Sequence, residues 1–142
     1  MLIPDVNVLV YAVQHDASAH ERYLRWFEDS LAGPEPVGLV ALVVAGFLRI
    51  VTNPRIFASP IPPGQALTFV EAALGAPACV VPAPSVRHMA TFLDVCRAAD
   101  AKGDLIPDAW LAATAIDLDA TLVTADRGFA RFPGLRWRHP LG

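Results

Sequence analysis

The stretch Leu2-Ile-Pro-Asp-Val-Asn-Val-Leu-Val-Tyr-Ala12 contains the pattern on which the fold prediction is based. Its first three residues suit a short strand, Asp5 follows directly, and the apolar residues from Val6 to Val13 predict a helix. A short strand that is apolar throughout is expected where helices cover both faces of a parallel sheet. The stretch therefore predicts a strand that leads into a helix through an acidic turn.

The same alternation of strand and helix continues along the chain. Further strands are predicted around residues 37–39, 79–81, 121–123 and 136–138. Further helices are predicted over residues 18–31, 39–52, 65–74, 85–99 and 108–118. Ser18-Ala-His-Glu21 has the spacing of a capping box at the start of the second helix, and Ser85 is a candidate cap for the fifth. Such alternation predicts a three-layer α/β/α domain with a central parallel sheet of about five strands.

Composition narrows the class of protein further. The chain has 142 residues, of which 54% are hydrophobic and 18% charged, with a formal net charge of −3. These values exclude a disordered chain and predict a single domain over residues 1–142. The acidic balance argues against a protein that holds nucleic acid by overall charge, although a local nucleic-acid site is still possible.

Cysteine usage and hydropathy predict the compartment. Cys79 and Cys96 lack metal-binding spacing and are predicted to be small buried hydrophobic residues in a reducing environment. The uncharged run between Glu35 and Arg49 is too short for a membrane-spanning helix. With no signal-peptide pattern at Met1, we expect a cytoplasmic protein without a membrane segment.

Four aspartates are predicted to meet at one edge of the sheet. Asp5 follows the first strand, Asp126 follows the fourth, and Asp108 begins the helix that leads to that fourth strand, with Asp104 just upstream. Ligands of open parallel sheets bind beyond the carboxyl ends of the strands. Taken singly, Asp5, Asp108 and Asp126 are better explained as helix caps, and Asp104 as a solvated loop residue. Together they would repel one another unless a cation compensates, and carboxylate oxygens suit Mg²⁺ or Mn²⁺.

Other folds with acidic strand ends fit these residues poorly. A receiver domain needs an aspartate after the third strand and a lysine near the fifth, but the third strand leads into Pro82-Ala-Pro84 and the only lysine is Lys102. A haloacid-dehalogenase-like phosphatase needs Asp-x-Asp where this chain has Asp5-Val-Asn7. A dinucleotide-binding domain needs a glycine-rich first turn, which is absent.

The chain resembles a PIN domain of the VapC toxin type. The resemblance rests on the first stretch and on three others, Gly46-Phe-Leu-Arg-Ile-Val-Thr-Asn-Pro-Arg55, Asp108-Ala-Trp-Leu-Ala-Ala-Thr-Ala115 and Thr121-Leu-Val-Thr-Ala-Asp126-Arg-Gly-Phe129. They occur in the family's order and spacing and extend over nearly the whole chain. The resemblance implies an endoribonuclease that uses Mg²⁺ or Mn²⁺ and cuts structured RNA such as tRNA or rRNA. It also implies a homodimer and a VapB-type antitoxin whose tail covers the acidic pocket.

The resemblance also implies roles for individual residues. Asp5 and Asp108 match the principal metal-binding aspartates, and Asp126 matches the third acidic position. Asn7 and Thr124 match polar residues that orient those carboxylates, although hydrogen bonds to turns are an alternative role for both. One departure stands out, because the family usually has a glutamate where this chain has Gly46. Asp104 is a candidate to compensate, and a catalytically degenerate PIN domain that binds RNA or a protein partner without cleavage is the alternative function.

Arginines and aromatic residues provide a candidate RNA-binding surface. Arg49, Arg55 and Arg127 lie within the matching stretches and are candidates to contact phosphates, and further arginines follow towards the C-terminus at Arg131, Arg136 and Arg138. Tyr11 and Trp137 could stack on bases, although we expect both to pack in the core. The apolar stripe of the second helix, with Tyr23, Trp26 and Phe27, is predicted either to face a partner or to be buried in the protein's own core.

Overall fold

Five short parallel strands form the centre of the computed structural model, which describes residues 1–142. The strands are β1 (Leu2–Pro4), β2 (Val37–Gly38), β3 (Cys79–Val80), β4 (Thr121–Val123) and β5 (Trp137–Arg138). They pair in the order β3-β2-β1-β4-β5. The helices are α1 (Val6–Val13), α2 (His20–Ala32), α3 (Ala41–Val51), α4 (Pro63–Leu74), α5 (His88–Ala99) and α6 (Leu105–Asp117), and a 3-10 helix covers Arg127–Arg131. The predicted α/β/α fold with a parallel sheet of about five strands is confirmed.

The register of the sheet places the ends of β1 and β4 side by side. Ile3 is paired with Leu122 and Pro4 with Val123, and all three strands β2, β1 and β4 run in the same direction. Parallel strands in register end at the same edge of the sheet. Asp5, which follows β1, and Thr124, which follows β4, are therefore neighbours. This pairing brings together two residues that are 119 positions apart in the chain.

The core is built from large side chains on the sheet and α3 and from small ones on α6. Ile3, Leu122 and Phe47 are completely buried. The α6 helix contributes buried alanines, namely Ala109, Ala112, Ala113 and Ala115. Small side chains allow a helix to lie close to its neighbours, so α6 is held tightly against the core and its N-terminal turn is rigidly placed.

Three predicted helix starts are wrong. The second helix begins at His20 with Ala19 in the left-handed region at φ 62°, and no side chain caps it, so the predicted capping box does not form. The fifth helix begins at His88, since Ser85 accepts a hydrogen bond from the Arg87 amide in the turn before it. The sixth begins at Leu105, ahead of Pro107. Proline is tolerated there because the first amides of a helix have no partner within the helix.

The apolar stripe of α2 faces the core, which decides between the two predictions made for it. Tyr23 and Phe27 are buried, and the Phe27 ring packs on Phe69 with centroids 5.6 Å apart. Trp26 is partly buried against the same core. These residues therefore stabilise the protein's own fold, and the prediction that they face a partner is wrong.

The two cysteines are more exposed than predicted, and no helix is suited to span a membrane. Cys79 and Cys96 are both free and half-buried, so they are less enclosed than predicted. None of the helices is both long enough and apolar enough to span a membrane.

Replacing Phe47 should destabilise the protein strongly. Its ring is completely buried and packs on Phe69 with centroids 5.3 Å apart. Phe47→Ala should lower the free energy of unfolding by about 3–5 kcal/mol, because it removes apolar burial and leaves a cavity. The control Leu67→Ala, at an exposed position of α4, should change it by no more than about 0.5 kcal/mol. Urea unfolding of both variants measures this, and equal losses would contradict the assigned core.

Candidate active site

The site begins with the Asp5 carboxylate, which lies at the carboxyl end of β1. Its side chain is only 8% exposed. Oδ1 accepts a hydrogen bond from the Val6 amide over 2.7 Å, so Asp5 also caps α1. Oδ2 accepts from Asn7 Nδ2 over 2.6 Å and from the Thr124 hydroxyl over 2.7 Å. Three donors thus fix the orientation of one buried carboxylate.

Asn7 and Thr124 connect this carboxylate to the loop after β4. The Thr124 hydroxyl oxygen accepts from the Asp126 amide over 3.0 Å, and Asn7 Oδ1 accepts from the Ala125 amide over 3.1 Å. Asn7 Nδ2 also lies 3.0 Å from the Thr124 hydroxyl oxygen. The predicted orienting residues therefore contact Asp5 directly, and they also set the position of the backbone that carries Asp126.

The four predicted aspartates line one acidic cleft with two parts. The smaller part, of about 280 Å³, is lined by Asp5, Asn7, Asp108 and Asp126. The larger part, of about 550 Å³, is lined by Asp5, Asp104, Asp108, Gly46 and Arg49 among others. Asp5 and Asp108 line both parts. Asp126 also caps the 3-10 helix through the Gly128 amide, so its functional and capping roles are compatible.

Burial and mutual repulsion raise the pKa of two of these carboxyls. Loss of hydration, together with the charges of Asp5 and Asp126, raises the pKa of Asp108 to about 6, while the charge of Arg131 opposes this rise. Loss of hydration also raises the pKa of Asp5, although the hydrogen bonds from Thr124 and Val6 favour its charged form. The cleft is therefore a place where negative charge is held at a free-energy cost that a cation would remove.

The donor atoms fit a hard, hydrated cation. The cleft offers carboxylate oxygens and no cysteine or histidine, which is the ligand chemistry of Mg²⁺ or Mn²⁺. No three of the chain's His, Cys, Asp and Glu side chains lie close enough together to surround an ion by themselves. Mg²⁺ is usually held by one or two carboxylates and keeps several water ligands. Asp5 Oδ1 has one protein donor, and Asp126 binds the Gly128 amide through Oδ1 alone, so both side chains retain free lone pairs.

Of the three arginines predicted to contact RNA, only one lines the acidic cleft. Arg49 lines the larger part of the cleft, whereas Arg55 and Arg127 are exposed and line neither part. Arg131 lies near enough for its charge to affect Asp108. Arg136 forms an ion pair of 2.8 Å with Asp119. The positive groups that the structure relates to the acidic centre are therefore Arg49, which lines the cleft, and Arg131, whose charge acts on Asp108.

Gly46 lies where α3 passes close to α1. A Cβ atom at this position would lie 3.0 Å from Val6 Cγ2, which is tighter than an ordinary contact. Close packing of α1 against α3 is therefore a physical reason for glycine here. The same residue lines the larger part of the cleft beside Asp5 and Asp108.

Sequence reasoning misplaced Tyr11 and missed Gln14. Tyr11 was expected in the core, but it is 36% exposed and lines the smaller part of the cleft. Its ring contacts the edge of Tyr23 with centroids 5.0 Å apart. Gln14, at the end of α1, is buried, and no feature of the local sequence distinguishes it from a surface glutamine.

Comparison with known proteins identifies the family. A family model described as PIN domain matches residues 2–135. Ribonuclease VapC43 from Mycobacterium tuberculosis is 48% identical over 141 residues, covering 99% of this chain and 96% of that protein. Ribonuclease VapC25 from the same organism is 42% identical over 140 residues, covering 99% of each.

Solved structures support the same fold. The structure of VapBC2 from Rickettsia felis bound to a DNA fragment from their promoter matches with a TM-score of 0.71 and 19% identity, covering 97% of each chain. This similarity concerns the fold alone. From the family match and the sequence relatives, the chain belongs to the PIN domain family and, within it, to the VapC ribonucleases, which confirms the resemblance.

Replacing Asp108 should change how stability depends on pH. An unfolded aspartate has a pKa of 3.8, whereas Asp108 in the folded protein has a pKa of about 6. Between these values the folded state binds more protons at Asp108, so the contribution of this group to stability is greatest below about pH 4 and is lost as pH rises through about 6. Asp108→Asn has no carboxyl group at this position and therefore does not lose this stability. In EDTA its Tm should be higher than that of the wild type, and the difference should grow from about pH 4 to about pH 7.

The matched control for this effect is Asp29→Asn, at an exposed position of α2. Its Tm should differ from that of the wild type by an amount that does not change with pH. Thermal unfolding monitored by circular dichroism measures all three proteins. Parallel curves for Asp108→Asn and the wild type would show that Asp108 has an ordinary pKa.

Removing the Thr124 hydroxyl should weaken the network around Asp5. Thr124→Val keeps the shape but leaves Asp5 Oδ2 and the Asp126 amide each without one partner. The free energy of unfolding should fall by about 1–3 kcal/mol, and Thr124→Ser should recover most of it. Thr68→Val removes an exposed hydroxyl that binds the Gly64 carbonyl and should have little effect. A loss at Thr68 as large as that at Thr124 would refute the role of the network.

Proposed function

We propose that this chain is the toxin of a VapBC-type toxin–antitoxin pair, an Mg²⁺- or Mn²⁺-dependent endoribonuclease that hydrolyses phosphodiester bonds in structured RNA such as tRNA or rRNA. The observation that carries the proposal is the cleft in which Asp5, Asp108 and Asp126 meet. The 48% identity to Ribonuclease VapC43 supports the ribonuclease activity.

The roles proposed for the residues follow from their contacts. Asp5, Asp108 and Asp126 would hold the cation, in part through its water ligands. When bound, a divalent cation supplies positive charge next to the phosphate and acidifies water. Asn7 and Thr124 keep the Asp5 carboxylate in one orientation through bonds of 2.6 and 2.7 Å. The reaction adds water across the P–O bond and leaves a 5′-phosphate and a 3′-hydroxyl.

Substrate RNA needs positive charge around this acidic centre. Arg49 lines the larger part of the cleft, and Arg131 is close enough to Asp108 to lower its pKa. Both can contact phosphates on either side of the scissile bond. Arg55 and Arg127 are exposed and would serve only for RNA that extends beyond the cleft. Asp104, at the edge of the larger part, could provide a further oxygen ligand.

A VapB-type antitoxin and a second copy of this chain are the proposed partners. Support for the antitoxin comes from solved VapBC complexes of the same fold, such as VapBC2 from Rickettsia felis. An antitoxin segment that enters the acidic cleft would exclude RNA and so inhibit the enzyme. The proposed setting is the cytoplasm, where structured RNA is available.

A second candidate function is a catalytically degenerate PIN domain that binds RNA or a protein partner without cleavage. Gly46 favours it, because this position lines the cleft and carries no carboxylate where the family usually has glutamate. Titration with Mn²⁺ separates the two functions when it is combined with a cleavage assay. Mn²⁺ binding that depends on Asp5, with RNA left uncut at saturation, would favour the degenerate domain.

Expression in a bacterial host tests the ribonuclease directly. Induction of the wild type should arrest growth and produce new 5′-phosphate ends at discrete sites in total RNA. Asp108→Asn is the sharpest inactive variant, because Asp108 makes no side-chain hydrogen bond that folding would lose, and it should reduce both effects to background. Asp5→Asn should do the same.

The matched control is again Asp29→Asn, which should remain as toxic as the wild type. Soluble expression of every variant is checked on the same cultures. New RNA ends that persist in both Asp108→Asn and Asp5→Asn would contradict catalysis by the cleft. Soluble wild-type protein that produces no new ends would overturn the ribonuclease proposal.

A further inference from the structure

Gln14 has a buried amide group that no atom of the protein satisfies. The residue is the C-terminal cap of α1, and its side chain is only 8% exposed. Its Nε2 is the one fully buried side-chain nitrogen or oxygen in the chain without a hydrogen-bond partner. A buried donor without an acceptor costs about 1–3 kcal/mol, and such groups are rare in folded proteins. An acceptor supplied from outside the chain would remove this cost.

The Gln14 side chain lines a pocket that adjoins the acidic cleft. The pocket has a volume of about 270 Å³ and is lined by Tyr11, Asp16, Phe57 and Ser59 among others. Val10 and Tyr11 line both this pocket and the smaller part of the acidic cleft. From Asp5 to Gln14 the α1 helix rises about 13 Å, so the pocket lies beside the scissile phosphate and not at it. A strand of RNA that occupies the cleft would pass the mouth of this pocket.

The lining of the pocket suits a nucleobase better than a phosphate. It contains no lysine or arginine, and the exposed carboxylate of Asp16 would repel a phosphate. The exposed Tyr11 ring offers a surface on which a base can stack, which is a common means of binding unpaired RNA bases. Turned towards the pocket that it lines, the Gln14 amide can donate through Nε2 to a base carbonyl, and the Asp16 carboxylate can accept from base N–H groups. A volume of about 270 Å³ has room for one base.

We propose that Gln14, Tyr11 and Asp16 form a base-recognition pocket that selects guanine at a position next to the cleavage site. On the Watson–Crick edge of guanine, the O6 acceptor lies beside the N1 and N2 donors, which matches an amide donor and a carboxylate acceptor. Adenine and cytosine place an amino donor where guanine has O6, so they would leave Gln14 Nε2 without an acceptor. Uracil offers a carbonyl acceptor to Gln14 but has only one N–H donor on its Watson–Crick edge, so Asp16 would bind one donor instead of the two that guanine provides. The proposal deepens the ribonuclease function and rests on it.

Binding of free nucleotides tests the pocket without cleavage. The protein is Asp108→Asn in EDTA, and the probes are the 5′-monophosphates of guanosine, adenosine, cytidine and uridine. The chain has only two glutamines, Gln14 and Gln65, so their side-chain amide signals in a ¹⁵N-labelled protein can be assigned with Gln14→Leu. Guanosine monophosphate should shift the Gln14 signal and leave the exposed Gln65 signal unchanged. No shift with any nucleotide, or equal shifts with all four, would overturn the proposal.

Cleavage of an RNA library tests the same pocket during the reaction. The substrates are hairpins with a randomised loop, cut by the wild type and by Gln14→Leu. The wild type should prefer guanine at one position by about tenfold, and Gln14→Leu should lose this preference. Leucine has no unpaired donor, so Gln14→Leu should have a Tm at least equal to that of the wild type.

Two further variants distinguish base recognition from a general effect on activity. Gln14→Glu replaces the donor with an acceptor that would repel guanine O6, so it should abolish the guanine preference. The matched control Gln65→Leu should retain the guanine preference. The same base preference in the wild type and Gln14→Leu would overturn the proposal. If the wild type cuts no RNA, the ribonuclease function fails, while the nucleotide-binding result still decides the pocket.

Discussion

The structure of the site depends on one buried carboxylate, Asp5, and on the three donors that hold it. The Val6 amide, Asn7 and Thr124 bind its two oxygens over 2.6–2.7 Å. These donors come from the N-terminus of α1 and from the end of β4, so their arrangement requires the sheet register in which Pro4 pairs with Val123. The same contacts position the backbone of Asp126 and relate α1 to the loop that follows β4. A shift of β4 by one residue would turn Thr124 away from Asp5 and separate the acidic residues.

Electrostatic repulsion in the cleft is tolerated because the rest of the domain is well packed. The pKa values of Asp5 and Asp108 are raised, so their ionised forms make the folded state less stable in the absence of a cation. Complete burial of Ile3, Phe47 and Leu122 contributes apolar stabilisation that offsets this cost. Proteins commonly depart from favourable local arrangements at functional sites and are stabilised elsewhere. The unpartnered amide of Gln14, adjoining the same cleft, is a second departure of this kind.

The fold was predictable from sequence to a large extent, and the site was predictable in part. Short apolar strands followed by amphipathic helices indicated the parallel sheet, and acidic residues after the first and fourth strands indicated where ligands would bind. The helix starts at Ser18, Ser85 and Asp108 were predicted wrongly, because local capping patterns compete with the geometry that the neighbouring turns impose. Tyr11 was expected in the core because aromatic residues are usually buried, yet it lines the smaller part of the cleft and is exposed. Gln14 could not be predicted, since burial of a single glutamine depends on which segments pack over it.

The sequence by itself determined the order of strands and helices, the membership of the PIN domain family and the identity of the acidic residues. These properties follow from local periodicity and from short motifs, which neighbouring residues in the chain specify. Only the tertiary structure decided that Thr124 binds Asp5 across 119 positions, that the α2 stripe is buried in the protein's own core, and that Arg49 faces the cleft while Arg55 does not. The physical reason is that these contacts join segments distant in sequence. Their distances are set by sheet register and by close packing, which act on the whole chain at once.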